Sequence, residues 1–150
     1  MKLELINLLE QIPEGKRHRS LQLEDNRITY TPDTPNGLHI LLITNNLQYT
    51  LVLNKWFQFT CSFQEAYAYL QWALSPLCRI KVFAKGEICS QSLQYFASET
   101  WHNKEYIKII DFTVTTDKQN EYVLSNNLLT ANDDELQKIL PATTQKYAMT

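Results

Sequence analysis

Glycine is scarce in this sequence, and its scarcity bears on nucleotide binding. Only three of the 150 residues are glycine, and Gly15, Gly37 and Gly86 lie far apart. Phosphate-binding loops need closely spaced glycines, because the backbone amides must approach the ligand. The common nucleotide-binding folds are therefore disfavoured, and no cofactor is expected.

Cysteine and histidine are also sparse. The three cysteines, Cys61, Cys78 and Cys89, are odd in number and show no C-x-x-C spacing. We expect reduced thiols that pack as small apolar side chains, because a disulfide framework needs paired cysteines. The three histidines show no H-E-x-x-H or related spacing, so the local sequence predicts no metal site.

Long apolar runs are missing as well. No segment approaches the roughly 20 apolar residues that a membrane-spanning helix needs. The first seven residues include Glu4 and Asn7, which do not suit the apolar core of a signal peptide. We therefore expect a cytoplasmic protein without a membrane contact.

The net charge of −2 gives no overall attraction to nucleic acid, which is not an expected partner.

The residues that are present are typical of one globular domain. Hydrophobic residues make up 44% and charged residues 20% of the chain, which is ordinary for a folded protein. Hairpins should connect most of the predicted strands, so we expect a mainly antiparallel sheet of about five to eight strands. Apolar runs and period-2 alternation predict these strands at 21–23, 27–30, 38–43, 47–53, 56–61, 79–84, 105–115 and 121–124.

Helices complete a predicted α+β fold. The helix at 62–75 has the clearest signals, since Ser62 and Glu65 match a capping box and Pro76 follows its end. Residues 1–141 should form a single domain, and residues 142–150, which show no periodicity, should form a mobile tail. Further helices are predicted near 2–12, 90–99 and 132–140.

Two aromatic residues on the helix at 62–75 lie outside its main apolar stripe. Tyr69 and Trp72 are three residues apart, so they either fill a second layer of the core or are exposed together. If exposed with Trp101, which lies in a predicted loop, they would form a patch larger than a monomer usually leaves unused. We therefore predict Tyr69, Trp72 and Trp101 as binding residues.

A dense basic cluster occupies residues 16–19, within a predicted loop. Lys16, Arg17 and Arg19 could contact an anion or phosphate, because arginine presents a planar fork of donors to such oxygens. The alternative is a solvated loop whose charges are screened by nearby glutamates. Four residues are fewer than nucleic-acid binders generally use, so the solvated loop is favoured.

An enzymatic site could be assembled only from distant segments. His102 follows Trp101 in a predicted loop, and Cys89 could pair with it if the fold brings the two together. Asp111 lies on a predicted strand and could complete such a site.

The sequence therefore favours a small soluble, non-enzymatic interaction or regulatory module, such as an adaptor, inhibitor or immunity-type protein. It would act through an aromatic surface or a sheet edge and bind another protein or a second copy of itself. Tyrosine and tryptophan are abundant, with eight and three residues, and both are enriched in binding hot spots. The alternatives are an enzyme using His102, Cys89 and Asp111, and a nucleic-acid-associated protein using the 16–19 loop.

Overall fold

Two antiparallel sheets and three helices make up the part of the chain that the computed structural model describes, residues 2–17, 21–45, 47–110 and 119–129. The predicted α+β class and antiparallel pairing are confirmed, although the described ranges hold nine strands rather than five to eight. The elements are α1 (Leu3–Glu10), α2 (Glu14–Arg17), β1 (Leu21–Glu24), β2 (Arg27–Tyr30), β3 (Ile40–Thr44), β4 (Tyr49–Leu53), β5 (Phe57–Cys61), α3 (Phe63–Ala73), β6 (Cys78–Lys85), β7 (Ile88–Ala97), β8 (Thr100–Ile110) and β9 (Asn120–Ser125).

The first sheet is a five-stranded meander in the order β1-β2-β3-β4-β5. Its register aligns Ile28, Leu42, Leu51 and Phe59 in one row across the inner face, and all four are buried. The alternation along each strand puts polar and half-buried residues on the outer face. The apolar run that becomes β3 is central in this sheet, and its outer face is only half-covered.

Helix α3 begins with the predicted capping box. The Ser62 hydroxyl accepts a hydrogen bond from the Glu65 amide at 3.3 Å, and the Glu65 carboxylate accepts one from the Ser62 amide at 3.2 Å. The helix packs against β4 of the first sheet and reaches β6 of the second. The Tyr69 ring stacks on Phe59 with the ring centroids 5.5 Å apart. Helix α3 therefore joins the two sheets in one core.

Helix α1 also behaves as its apolar stripe predicts. Leu5, Leu8, Leu9 and Ile12 follow the i, i+3, i+4, i+7 pattern and are all buried in the same core. A helix this short is marginal in water by itself, so its formation depends on this packing.

The second sheet has the order β8-β7-β6-β9, and it contradicts two sequence predictions. Residues 90–99 were predicted to be helical, but they lie mostly in β7; residues 101–103 were predicted to be a loop, but they lie in β8. The helix prediction used Ser90 as a cap and a stripe of Leu93, Phe96 and Ala97. Leu93 and Ala97 are an even number of residues apart, so they also share a face of a strand, and Phe96 lies on the opposite face. Ser98 and Glu99 form the tight turn between the strands with φ of 51° and 65°. The predicted helix at 132–140 and the tail lie outside the described residues.

The Asn126 side chain, just after β9, forms hydrogen bonds that connect three segments of the chain. Its buried Oδ1 accepts a hydrogen bond from the Leu38 amide at 3.0 Å, just before β3. Its Nδ2 donates to the carbonyl of Leu38 at 3.0 Å and to that of Ala73, at the end of α3, at 3.1 Å. One carboxamide therefore holds the end of β9, the entry to β3 and the end of α3 in fixed positions.

The capped helix gives a first test. We expect Ser62→Ala to lower the free energy of unfolding by about 1 kcal/mol, because an N-cap bond is lost. Leu70→Ala should cost roughly 2–5 kcal/mol, because Leu70 is buried in the core. Urea denaturation of both variants measures these losses. Equal and negligible losses would contradict the placement of α3.

The Asn126 linkage gives a second test. Asn126→Ala should lower the free energy of unfolding by roughly 2–5 kcal/mol, because buried backbone groups at Leu38 and Ala73 lose their partners. Asn126→Asp keeps the acceptor but removes the donor, and should also destabilise the protein. Asn7→Ala, at an exposed position of α1, is the control and should change stability by less than about 0.5 kcal/mol. A change of that small size in Asn126→Ala would refute the linkage.

Candidate interaction surface

The aromatic patch predicted from the sequence does not form. Tyr69 is 1% exposed and Trp72 is 0% exposed, so the prediction that they face a partner is wrong. Both flanks of α3 are covered, because the helix lies between two sheets. Trp72 donates its indole N–H to the Leu77 carbonyl at 2.9 Å, which satisfies its polar group inside the core. Trp101 differs from both, since it is half-buried on the second sheet.

The predicted enzymatic set is not assembled either. His102 pairs with Tyr95 across the β7–β8 ladder, whereas Cys89 pairs with Ile109. Tyr95 and Cys89 are six residues apart on β7, which is roughly 20 Å along a strand. His102 instead stacks on Tyr95, and its Nε2 lies 3.0 Å from the Ala97 carbonyl oxygen. Asp111 lies outside the described residues.

The other two thiols are poorly suited to nucleophilic chemistry. Burial, with a smaller effect of Glu65, raises the pKa of Cys61 to about 11. Burial alone raises the pKa of Cys78 well above its usual value. Both thiols are therefore protonated at neutral pH, and the thiolate is the reactive form.

Neither the basic loop nor a metal site gains support from the part of the chain that the structure describes. Helix α2 includes the backbone of Lys16 and Arg17, but their side chains and the whole of Arg19 lie outside the described part of the chain. The anion-binding role of these residues stays a prediction. Within the described ranges, no group of three or more histidine, cysteine, aspartate or glutamate residues is placed to hold a metal ion.

The outer face of the four-stranded sheet carries the most distinctive surface among the described residues. This face is the side of β6–β9 turned away from the core. Exposed apolar residues lie on it, among them Ile110, which is 61% exposed. Its side chains are Arg79, Lys81, Phe83 and Lys85 on β6; Ile88, Ser90, Ser92, Gln94 and Phe96 on β7; Trp101, Asn103, Tyr106, Lys108 and Ile110 on β8; and Glu121 and Val123 on β9.

A polar and aromatic cluster occupies one end of this face. The Arg79 guanidinium lies over the Trp101 ring, 4.1 Å from its centroid, and its Nε donates to the Gln94 side chain at 2.6 Å. Gln94 in turn donates to the Asn103 side chain at 2.8 Å. Phe96 meets Trp101 edge-on, with the ring centroids 5.3 Å apart. These contacts hold Arg79 and Trp101 in place without a ligand.

Apolar and cationic side chains alternate over the rest of the face. Tyr106 lies opposite Ser92, and Lys108 lies opposite Ser90. Lys81 forms an ion pair with Glu121 at 2.8 Å. Arg79, Lys81, Lys85 and Lys108 outnumber Glu121, so the described part of this face is positively charged.

The sequence contained a signal for this face that the helix prediction at 90–99 obscured. Alternation through 79–84 indicated a strand with one polar face, and the same period continues from Ile88 to Ala97. Read as a strand, that segment places Phe96 and Gln94 on the same face as Arg79.

Lys104 is an unusual residue on the inner side of the same sheet. It is the extra residue of a bulge in β8, opposite the Leu93–Gln94 step of β7. Its side chain is 1% exposed, and its Nζ lies 5.1 Å from the centroid of Phe59 and 5.2 Å from that of Tyr69. Desolvation lowers the pKa of Lys104 to about 8, although Glu105 and Glu65 act in the opposite direction. The lysine thus bridges the two sheets through aromatic rings.

Comparison with protein-family models, with curated proteins and with solved structures gave no match for this chain. Among the residues that the structure describes, no helix has the length and apolar character needed to span a membrane.

Because of Lys104, the free energy of unfolding should change with pH in the alkaline range. The pKa of Lys104 is about 8 when folded and about 10.4 in an unfolded chain. The unfolded state therefore binds more protons between these values, and stability rises with pH through that window. Relative to Lys104→Met, the wild type should gain roughly 2 kcal/mol between pH 7 and 9.5. Below about pH 7 the difference between the two proteins should stay constant.

Urea denaturation of both proteins across this pH range measures the difference. Lys104→Met is the matched reference because it keeps the side-chain length and removes the charge. Taking the difference also removes the opposite contributions of Cys61 and Cys78, whose raised pKa values reduce stability at high pH in both proteins. Parallel pH profiles would show that Lys104 is not desolvated.

Proposed function

We propose that this protein is a non-enzymatic interaction module that binds an acidic protein partner through the outer face of its four-stranded sheet. The observation that carries the proposal is the combination, on one open sheet face, of exposed apolar side chains with an excess of cations. Apolar patches bordered by polar residues are typical of interaction sites.

The exposed apolar residues share one face of the sheet, where polar and cationic side chains such as Ser92 and Lys81 lie between them. Ile88 and Ile110 are direct neighbours across the β7–β8 ladder. Tyr106 on β8 and Val123 on β9 lie on the same face, and both are more than a third exposed. A partner that covers this face would remove all four from water, which is the main driving force for protein association.

The Arg79–Trp101 cluster supplies a preorganised anchor. Tryptophan, tyrosine and arginine dominate binding hot spots, and this face has all three. Because Gln94 and Trp101 already hold the Arg79 side chain, little side-chain entropy is lost when a partner binds. The cations favour a partner with acidic residues at the rim of its contact surface, since complementary charge speeds association and selects the partner.

Nucleic acid is the alternative partner for a face with aromatic and basic residues. Successive bases stack on several open aromatic rings. On this face Arg79 covers one side of Trp101 and Phe96 contacts it edge-on, so Tyr106 is the more open ring. The arrangement therefore favours a protein partner.

A second copy of this chain is the other alternative, because β8 is an edge strand of the described sheet and edge strands can pair between molecules. A cytoplasmic location belongs to the same proposal, and the three free thiols support it.

The test uses paired variants of the full chain. Tyr106→Ser with Ile110→Ser removes apolar surface, and Lys85→Glu with Lys108→Glu reverses charge. Leu47→Ser is the apolar control, because Leu47 is 90% exposed and lies in the β3–β4 connection of the other sheet. Lys2→Glu is the charge control. A partner captured from native lysate is purified, and its Kd for each variant is measured by calorimetry.

Both outer-face variants should bind at least tenfold more weakly, which corresponds to about 1.4 kcal/mol, while the melting temperature changes little. The controls should bind like the wild type. Unchanged binding by the outer-face variants would refute the proposal. Concentration-dependent light scattering that only these variants abolish would assign the face to self-association. A salt-sensitive oligonucleotide complex in the low micromolar range, lost in the charge variant, would assign it to nucleic acid.

A further inference from the structure

A separate groove lies on the outer face of the five-stranded sheet, on β2, β3 and β4. Its volume is about 490 Å³, within the range of small-molecule sites. The lining residues are Arg27, Thr29, Tyr30, Thr31, His39, Ile40, Leu41, Val52 and Lys55.

The sheet register builds the floor of this groove. Thr29, Leu41 and Val52 are cross-strand neighbours in one row of the outer face, and each is half-buried. Neighbouring strands lie about 4.8 Å apart, so the row spans roughly 10 Å from β2 to β4. The floor therefore offers two neighbouring apolar side chains, Leu41 and Val52, with Thr29 beside them on β2.

Basic side chains border the groove. Arg27, His39 and Lys55 line it, and no aspartate or glutamate is among its lining residues. The nearest carboxylate in the ladder is Glu24, which faces Arg27 from β1 and does not line the groove. The site therefore combines an apolar floor with basic groups at its border.

The position of Lys55 has a conformational cost. Asn54 and Lys55 both have positive φ, 50° and 74°, in the connection between β4 and β5. Glycine occupies such positions without strain, whereas a lysine does not. The connection is also anchored, since the Asn54 amide donates to the His39 carbonyl at 2.9 Å and its side chain donates to Gln91 at 3.3 Å. Lys55 thus follows an anchored residue at the groove, in a backbone conformation that disfavours a lysine, and its exposed ammonium lies 5.1 Å from the centroid of the Trp56 ring.

We propose that this groove binds a small organic carboxylate with an apolar body. The carboxylate meets Lys55 at the end of the groove where His39 lies, and the apolar body extends over Val52 and Leu41 towards Arg27, on the far side of that row. Inorganic phosphate satisfies the cations but leaves the apolar floor in water, and a neutral amide of the same length covers the floor but leaves the cations unpaired. The groove is on a different sheet from the proposed protein-binding face, so the result of one test does not affect the other proposal.

The experiment titrates the full chain by calorimetry at fixed salt with three probes: octanoate, octanamide and inorganic phosphate. We expect saturable octanoate binding at one site, and binding of the other two probes at least tenfold weaker. Absence of saturable octanoate binding at millimolar concentration overturns the proposal. Equal binding of octanamide also overturns the proposal, because the site would then recognise only the apolar body. Equal binding of phosphate overturns it as well, because the site would then recognise only the negative charge.

Two glycine variants separate the function of Lys55 from its strain. Lys55→Gly relieves the backbone and removes the cation, so it should raise the melting temperature and weaken octanoate binding at least fivefold. Glu99→Gly is the matched control, because Glu99 has φ of 65° in the β7–β8 turn, outside the groove. It should raise the melting temperature and leave octanoate binding unchanged. Lys55→Gln tests the charge without a change of backbone preference, and wild-type binding by this variant overturns the proposal. Arg27→Gln removes the charge on the far side of the floor and should weaken octanoate binding less; a larger loss in Arg27→Gln overturns the placement of the carboxylate at Lys55.

Discussion

The fold depends on a buried carboxamide that joins parts of the chain distant in sequence. Asn126 bonds to Leu38 and to Ala73, so the last described strand, the entry to β3 and the end of α3 meet at one side chain. Backbone bonds reinforce the junction, from Ser125 to Asn36 at 2.8 Å and from Leu128 to Leu74 at 2.8 Å. Hairpin connections hold the first sheet and β6, β7 and β8 of the second, whereas β9 pairs with β6 over a long sequence separation. The junction at Asn126 lies at the end of that strand and fixes it relative to the first sheet and to α3. Buried polar groups must be satisfied, so the geometry here is narrowly defined.

This arrangement leaves each sheet with one face in the core and one face accessible, and the two accessible faces differ. The four-stranded sheet presents a broad surface where Arg79 and Trp101 are already held in place. The five-stranded sheet presents a narrower groove with Lys55 at its border. A broad apolar and cationic surface suits a macromolecule, and a groove of small volume suits a small ligand. Antiparallel sheets allow this division because one face of each can meet solvent.

Much of the fold followed from local patterns, while most of the predicted site did not. Several elements were predicted from signals between near neighbours in sequence. These signals are the alternation along β2, β4 and β5, the capping box at Ser62 and the apolar stripe of α1, and the corresponding strands and helices formed as predicted. Tyr69 and Trp72 were misplaced because a helix sequence does not reveal how many of its flanks are covered. Trp101 was assigned to a loop, because the strand β7 that pairs with it was read as a helix.

The sequence by itself determined the α+β class, the hairpins and the capped helix, because these rest on periods of 2 and 3.6 residues and on turn and cap chemistry. Tertiary structure decided which surfaces remain accessible. It buried Lys104 between the rings of Phe59 and Tyr69, kept His102 away from Cys89, and gathered the outer face from four strands. Those outcomes depend on register and on the packing of one sheet against another, and no local pattern encodes the distance between residues that meet only after folding.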